Sequence, residues 1–144
     1  MTEQPNSVPA DAVPADAVPA GEVYDWYRRG CELLERGDAA AAAVLLSRAV
    51  AVEPGSHSLR EALARAQYAC RDYEAARENF AAIVAVEPSD DYAHFGLGLA
   101  TRQIGDLDKA VEHLALAVAM RPDNKHYGTA LNAVRVARQR TATR

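Results

Sequence analysis

From Tyr24 onward, apolar residues recur at the three- and four-residue intervals of amphipathic helices, and the pattern is cut at regular points by glycine, aspartate and proline. A first helix over 24–36 ends at Gly37, whose missing Cβ suits the left-handed residue after a helix. Asp38 then suits an N-cap, because its carboxylate can accept the next turn's free N–H groups. Second helices of each unit are predicted over 39–52, 73–86 and 107–120, stopped by Pro54, Pro88 and Pro122. Gly105-Asp106 repeats the first turn. Arg71-Asp72 keeps the aspartate and loses the glycine, at about 1 kcal/mol if Arg71 takes a positive φ.

The interruptions are periodic. Pro54, Pro88 and Pro122 are spaced by 34 residues, as are Asp38, Asp72 and Asp106. Ala42, Ala76 and Ala110 keep the interval, and so do Leu46, Phe80 and Leu114, then Val50, Val84 and Val118. Five columns at one period make a three-fold repeat of helical pairs. Beyond it, Lys125 to about Gln139 reads as a seventh helix with Tyr127, Ala130, Leu131, Val134 and Ala137 on one face.

The first 22 residues differ in kind. Pro5, Pro9, Pro14 and Pro19 fall there, three of them in a five-residue cycle of Val-Pro-Ala units at Val8, Val13 and Val18. Proline at this density cannot sustain a helix, so the arm is expected to be disordered or polyproline-II-like. It carries Glu3, Asp11, Asp16 and Glu22 and no cation, whereas residues 125–144 hold five basic side chains and no acidic one.

Composition narrows the class. Of 144 residues 31 are alanine and nine aromatic, which favours close helix packing over a bulky β core. The net charge of -4 argues against an overall polycation for nucleic acid. The longest apolar run, 39–46, is too short to span a bilayer, and the first residues lack the pattern of a signal peptide, so the expected location is cytoplasmic. Cys31 and Cys70 form neither a CxxC pair nor a disulfide framework.

The 34-residue helical pair resembles the tetratricopeptide repeat family. Phased as 23–56, 57–90 and 91–124, the first repeat carries Trp26, Gly30, Leu33, Ala42, Leu46, Ala49 and Pro54 of the family's pattern. The second carries Leu63, Ala64, Ala76, Phe80 and Pro88, and the third Leu97, Gly98, Ala110, Leu114, Ala117 and Pro122. Departures are Arg29, Arg60, Gln67 and Ile83. The resemblance implies an all-α, right-handed superhelical stack of three repeats, with 125–144 as a capping helix and basic tail behind an N-terminal arm over 1–22.

Chemistry is sparse. His57, His94, His113 and His126 lie on different predicted helices, and Cys31 has no motif supplying a base or an oxyanion site, so neither a metal, a cofactor nor catalysis is expected. Gly96-Leu97-Gly98 matches a phosphate loop only superficially, with no strand before it.

The resemblance also implies a concave groove lined by the first helices. Its inward positions here are Tyr24, Tyr27, Cys31, Leu34 and Glu35; Ser58, Glu61, Arg65, Tyr68 and Ala69; then Tyr92, Phe95, Leu99, Arg102 and Gln103. From these, Tyr24, Tyr27, Cys31, Arg65, Tyr68, Tyr92, Phe95, Leu99 and Arg102 are the candidate binding residues for a protein or extended peptide. Five of the nine aromatics fall on this wall. Family members that bind acidic chaperone C-termini use a Lys, Asn and Arg clamp, and the matching positions here are Tyr27, Cys31, Ala62, Tyr92 and Gly96, which do not supply it. A nucleic-acid adaptor is the alternative, provided that Arg135, Arg138 and Arg140 form one solvent-facing stripe. The arm itself is a further candidate ligand. Its short linker to the first helix points to docking on a neighbouring molecule, and so to self-association.

Overall fold

The computed structural model describes residues 18, 19 and 21–143. The expectations for the rest of the arm lie outside these residues. Seven helices follow in order: α1 (Glu22–Glu35), α2 (Ala39–Val52), α3 (His57–Ala69), α4 (Tyr73–Val86), α5 (Asp91–Ile104), α6 (Leu107–Met120) and α7 (Lys125–Ala142). No strand occurs among the described residues. The bounds of α2, α4 and α6 are those expected from their Asp and Pro punctuation. The first helix starts at Glu22 rather than Tyr24, and α7 continues past Gln139 to Ala142.

One hydrogen-bonding scheme closes all three helical hairpins. The N–H of Asp38 donates to Leu33 (2.8 Å), Asp72 to Gln67 (2.8 Å) and Asp106 to Thr101 (3.2 Å). The preceding N–H groups of Gly37, Arg71 and Gly105 donate to Leu34, Tyr68 and Arg102. This pair of bonds requires a left-handed residue between helix and aspartate. Gly37 and Gly105 adopt φ of 87° and 104°, and Arg71 is held at φ 69°. The aspartate caps divide differently from expectation. Asp72 accepts from the Ala75 N–H and Asp106 from the Lys109 N–H. Asp38 makes no such bond; it is exposed and leaves the first amides of α2 to water.

Each hairpin closes on a small residue meeting a large one. A Cβ added at Gly30 would lie 2.7 Å from Leu46 Cγ, and one at Gly98 would lie 2.7 Å from Leu114 Cγ. Glycine therefore serves approach between helices here, not backbone freedom. Ala42, Ala76, Ala110, Leu46 and Leu114 are wholly buried, and Phe80 nearly so. At the end of the stack, Leu131 and Val134 of α7 pack on Ala110 and Leu114, which gives α7 the capping role expected of it.

The helices pack in sequence, and α1 also touches α3, α3 touches α5, and α5 touches α7, with no comparable contact among α2, α4 and α6. The odd-numbered helices consequently form the inner wall of a curved stack. Between the two helices of a hairpin, equivalent positions change character along the chain. They are Trp26 and Leu45 in the first hairpin, Arg60 and Asn79 in the second, and His94 and His113 in the third. Arg60 Nη1 donates to Asn79 Oδ1 (2.8 Å), Asn79 Nδ2 donates to Gln67 Oε1 (2.7 Å), and Arg60 Nη2 donates to the Pro54 carbonyl (2.9 Å). The departures at Arg60 and Gln67 are thus one satisfied polar network.

Candidate functional site

The inner wall holds an apolar cavity of about 230 Å³ between α1, α3 and α5. Leu34, Arg65, Tyr68, Ala69, Tyr92, Phe95, Gly96 and Leu99 line it, with the Phe80 ring at its floor. Gly96 permits that floor, since a Cβ there would collide with the Phe80 ring. The rings are tied to one another. Phe80 meets Tyr92 edge-on with centroids 6.2 Å apart, Tyr92 lies 6.2 Å from Phe95, and Phe95 lies 4.7 Å from Tyr127 of α7. On the opposite side Tyr68 meets Tyr73 edge-on at 5.2 Å. Such contacts fix ring orientation without covering every face.

Arg65 is the charged side chain of this lining, and it is exposed. Burial pushes the Tyr92 phenol above its ordinary range, and the Arg65 guanidinium partly opposes that. The cavity therefore offers apolar rings, the Tyr92 phenol, which burial keeps protonated, and one cation at its edge.

Of the nine residues expected to bind, five meet here: Arg65, Tyr68, Tyr92, Phe95 and Leu99. Tyr24 and Tyr27 belong to a second hollow, with Val23, Leu59, Glu53, Ser56 and Ser58, nearer the start of α1. Tyr24 is 63% exposed. Burial and then the adjacent Cys31 push the Tyr27 phenol upward. Cys31 itself packs against the core cluster of Ala42, Leu46, Ala62, Leu63 and Ala66, and both cysteines are free thiols. Arg102 is half-buried in the last turn of α5 and lines neither hollow.

Phe80, Gly96 and Tyr127 are not among the nine candidate binding residues. Phe80 and Gly96 belong to different repeats, and their contact depends on how two repeats stack. Tyr127 was assigned to capping, which it also performs: its hydroxyl donates to Asp91 Oδ2 at 2.7 Å, while its ring supports Phe95. Burial and that bond push the Tyr127 phenol well above the usual tyrosine range.

Two histidine arrangements were also not foreseen. His57 Nδ1 lies 3.0 Å from Glu87 Oε1, and its Nε2 lies 3.0 Å from Asp90 Oδ2. Its two nitrogens face different carboxylates, so the group ties α3 to the α4–α5 turn; with one ligand atom from each residue, His57, Glu87 and Asp90 lie within 4.8 Å of one another. His94 is 5% exposed; its Nε2 contacts the Pro88 carbonyl at 2.9 Å and its ring stacks on His113.

The tail arginines do not share one stripe. Arg138 turns to Asp108 (3.6 Å), and Arg140 lies roughly 160° around the helix from it at 100° per residue. No helix of the described residues is long and apolar enough to cross a membrane.

The tetratricopeptide repeat model matches residues 61–125. No curated protein sequence is similar to the chain at a significant level. Among solved structures, the first repeat domain of Spaghetti (RPAP3), bound to the HSP90 peptide SRMEEVD, superposes with a TM-score of 0.76 at 18% identity, over 83% of this chain and 95% of that one. The second repeat domain of human RPAP3, in complex with the HSP70 peptide SGPTIEEVD, gives 0.73 at 21% identity, over 78% and 94%. MamA from Desulfovibrio magneticus RS-1 gives 0.79 at 23% identity, over 86% and 70%. The repeat model thus covers 65 of the 144 residues, and together with the 34-residue columns, the Gly–Leu closures and the stacked hairpins the solved structures show that the chain has the tetratricopeptide-repeat fold.

Proposed function

We propose that the chain is a non-catalytic, cytoplasmic scaffold that binds an extended protein segment in its concave face. In this reading residues 23–124 are the repeat domain, 1–22 the arm, and 125–144 the cap and tail. The observation that carries it is the aromatic cavity with Arg65 at its edge: ring faces held in place by neighbours, yet left open on the inner wall. An apolar side chain seated there gains its burial without a large rearrangement, and the guanidinium favours a segment with a nearby carboxylate. The two RPAP3 domains were solved with peptides that both end in Glu-Glu-Val-Asp, which supports a peptide ligand as the class. The positions of the chaperone clamp are different here: Ala62 and Gly96 are buried and donate nothing from their side chains. The preferred segment is therefore more apolar.

The test is capture of an arrayed set of extended peptides. Tyr92→Ala with Leu99→Asn lowers capture tenfold or more, about 1.4 kcal/mol, with helical circular dichroism retained. Capture that survives this double change sinks the proposal. Tyr27 and Phe95 are left unchanged, because Tyr27 lies in the other hollow and Phe95 supports α7.

A further inference from the structure

We infer that the cavity has an internal occupant: the Val13-Pro14-Ala15 unit of the chain's own arm lies in it, and an external segment binds by displacing that unit. The inference rests on the groove being a peptide site and names its first ligand.

The described end of the arm already folds back. Val18 is half-buried and packs on the apolar cluster of Val23, Ala49 and Leu59. The Glu22 N–H donates to the Pro19 carbonyl at 3.1 Å, and Gly21 takes φ 90° and ψ -13°. That is a four-residue turn whose third residue is left-handed, a conformation glycine reaches without a Cβ clash. The turn brings Val18 onto the chain's own helices, so the short linker no longer argues for a neighbouring molecule.

The arm's period matches the wall. Consecutive Val-Pro-Ala units are five residues apart, about 15 Å in a polyproline-II chain. Val18 packs on the cluster that holds Val23, in the first turn of α1. Eleven residues further along α1 is Leu34, about 16 Å away, and Leu34 lines the cavity. One period from the occupied seat thus reaches the next, and the second hollow with Tyr24 and Tyr27 lies near that seat.

Charge and shape agree with this occupant. Proline and valine offer flat apolar faces to Tyr68, Tyr92 and Phe95 at little entropic cost. Asp11 and Asp16 flank the Val13 unit, and Arg65 is the cation of the lining. A tether this short sets an effective concentration near the millimolar range, so a contact too weak to persist between molecules suffices within one.

The experiment uses the full chain. In Val8→Asp/Val13→Asp, which leaves the repeats untouched, the amide resonances of Arg65, Tyr92 and Leu99 move from their wild-type positions. A synthetic peptide of residues 8–17 returns them, and an arrayed peptide that the wild type captures binds the variant about threefold tighter or more, because no internal competitor reduces the free fraction. Wild-type positions are unchanged on dilution. Superimposable groove amides in variant and wild type overturn the inference, and positions that shift with dilution overturn it in favour of a second copy. If the arm variant is silent while Tyr92→Ala/Leu99→Asn still abolishes capture, the internal ligand is wrong and the groove stands. If capture survives that change, the groove itself is wrong.

Discussion

The His113 ring stacks on that of His94, with centroids 5.9 Å apart and planes 28° from parallel, and both Nδ1 atoms are buried without a hydrogen-bond partner. Burial first, and then the neighbouring His94, hold the His113 pKa below the ordinary histidine value of 6.5. Lys109 acts in the same direction, and Glu112 and Asp106 oppose it. The fold therefore favours the neutral ring, and the unfolded chain takes up the proton first. Stability is full above about pH 6.5 and is lost as pH falls below it. Thermal melts at pH 7.5 and 5.5 should differ by a few degrees, about 2–6 °C. His113→Leu flattens the difference; an undiminished acid sensitivity in that variant would rule out the pair as its origin.

Arg71 holds a backbone shape that its neighbours in the repeat assign to glycine, with φ 69° against 87° and 104° at Gly37 and Gly105. Its side chain is exposed. Arg71→Gly relieves the left-handed strain while loosening the unfolded chain, for a net gain of about 0.5–1 kcal/mol. Urea unfolding measures it, and a loss of stability would show that the turn is not strained.

Gly98 makes the opposite case. Its φ is ordinary, yet an added Cβ meets Leu114 Cγ at 2.7 Å and the Ala110 carbonyl oxygen at 3.3 Å. Leu114 is fully buried, so it has nowhere to retreat. Gly98→Ala should cost about 1–3 kcal/mol despite alanine's better helix propensity. A stabilised variant would mean that α5 and α6 separate freely.

The bond from Tyr127 to Asp91 joins the cap to the last hairpin. Tyr127→Phe removes it and keeps the ring beside Phe95, at about 1 kcal/mol. Hydrogen exchange should quicken first in α7. Uniform acceleration along the chain would place the bond's effect elsewhere.

Much of this architecture is written locally. Asp72 with Pro88, and Asp106 with Pro122, bracket helices that need no tertiary information to delimit. Asp38 has the same spacing and makes no cap, because a carboxylate's orientation is not encoded by its position. The repeat phase assigns seven of the nine cavity-lining residues to the inner wall, five of them among the candidate binding residues. Phase does not say where that wall is hollow. The hollow depends on Phe80 reaching beneath Gly96 from the preceding repeat, and on α7 taking up one side of Phe95. The His94–His113 stack required pairing two columns across a hairpin, and the seat of Val18 required knowing the turn at Gly21.

The three unlike pairs between the helices of each hairpin bear on how the chain assembles. Proteins built from similar units can join the first helix of one to the second helix of another, within a molecule or between two nascent ones. Here α1 laid on α4 would bring Trp26 against Asn79, and α3 laid on α6 would leave Arg60 without the amide oxygen it binds at 2.8 Å. Each exchange deprives a half-buried polar group of the partner it has in the native hairpin. Apolar, amide–guanidinium and imidazole pairs act as three mutually incompatible keys. They keep the order of the repeats faithful while the remaining columns stay nearly identical.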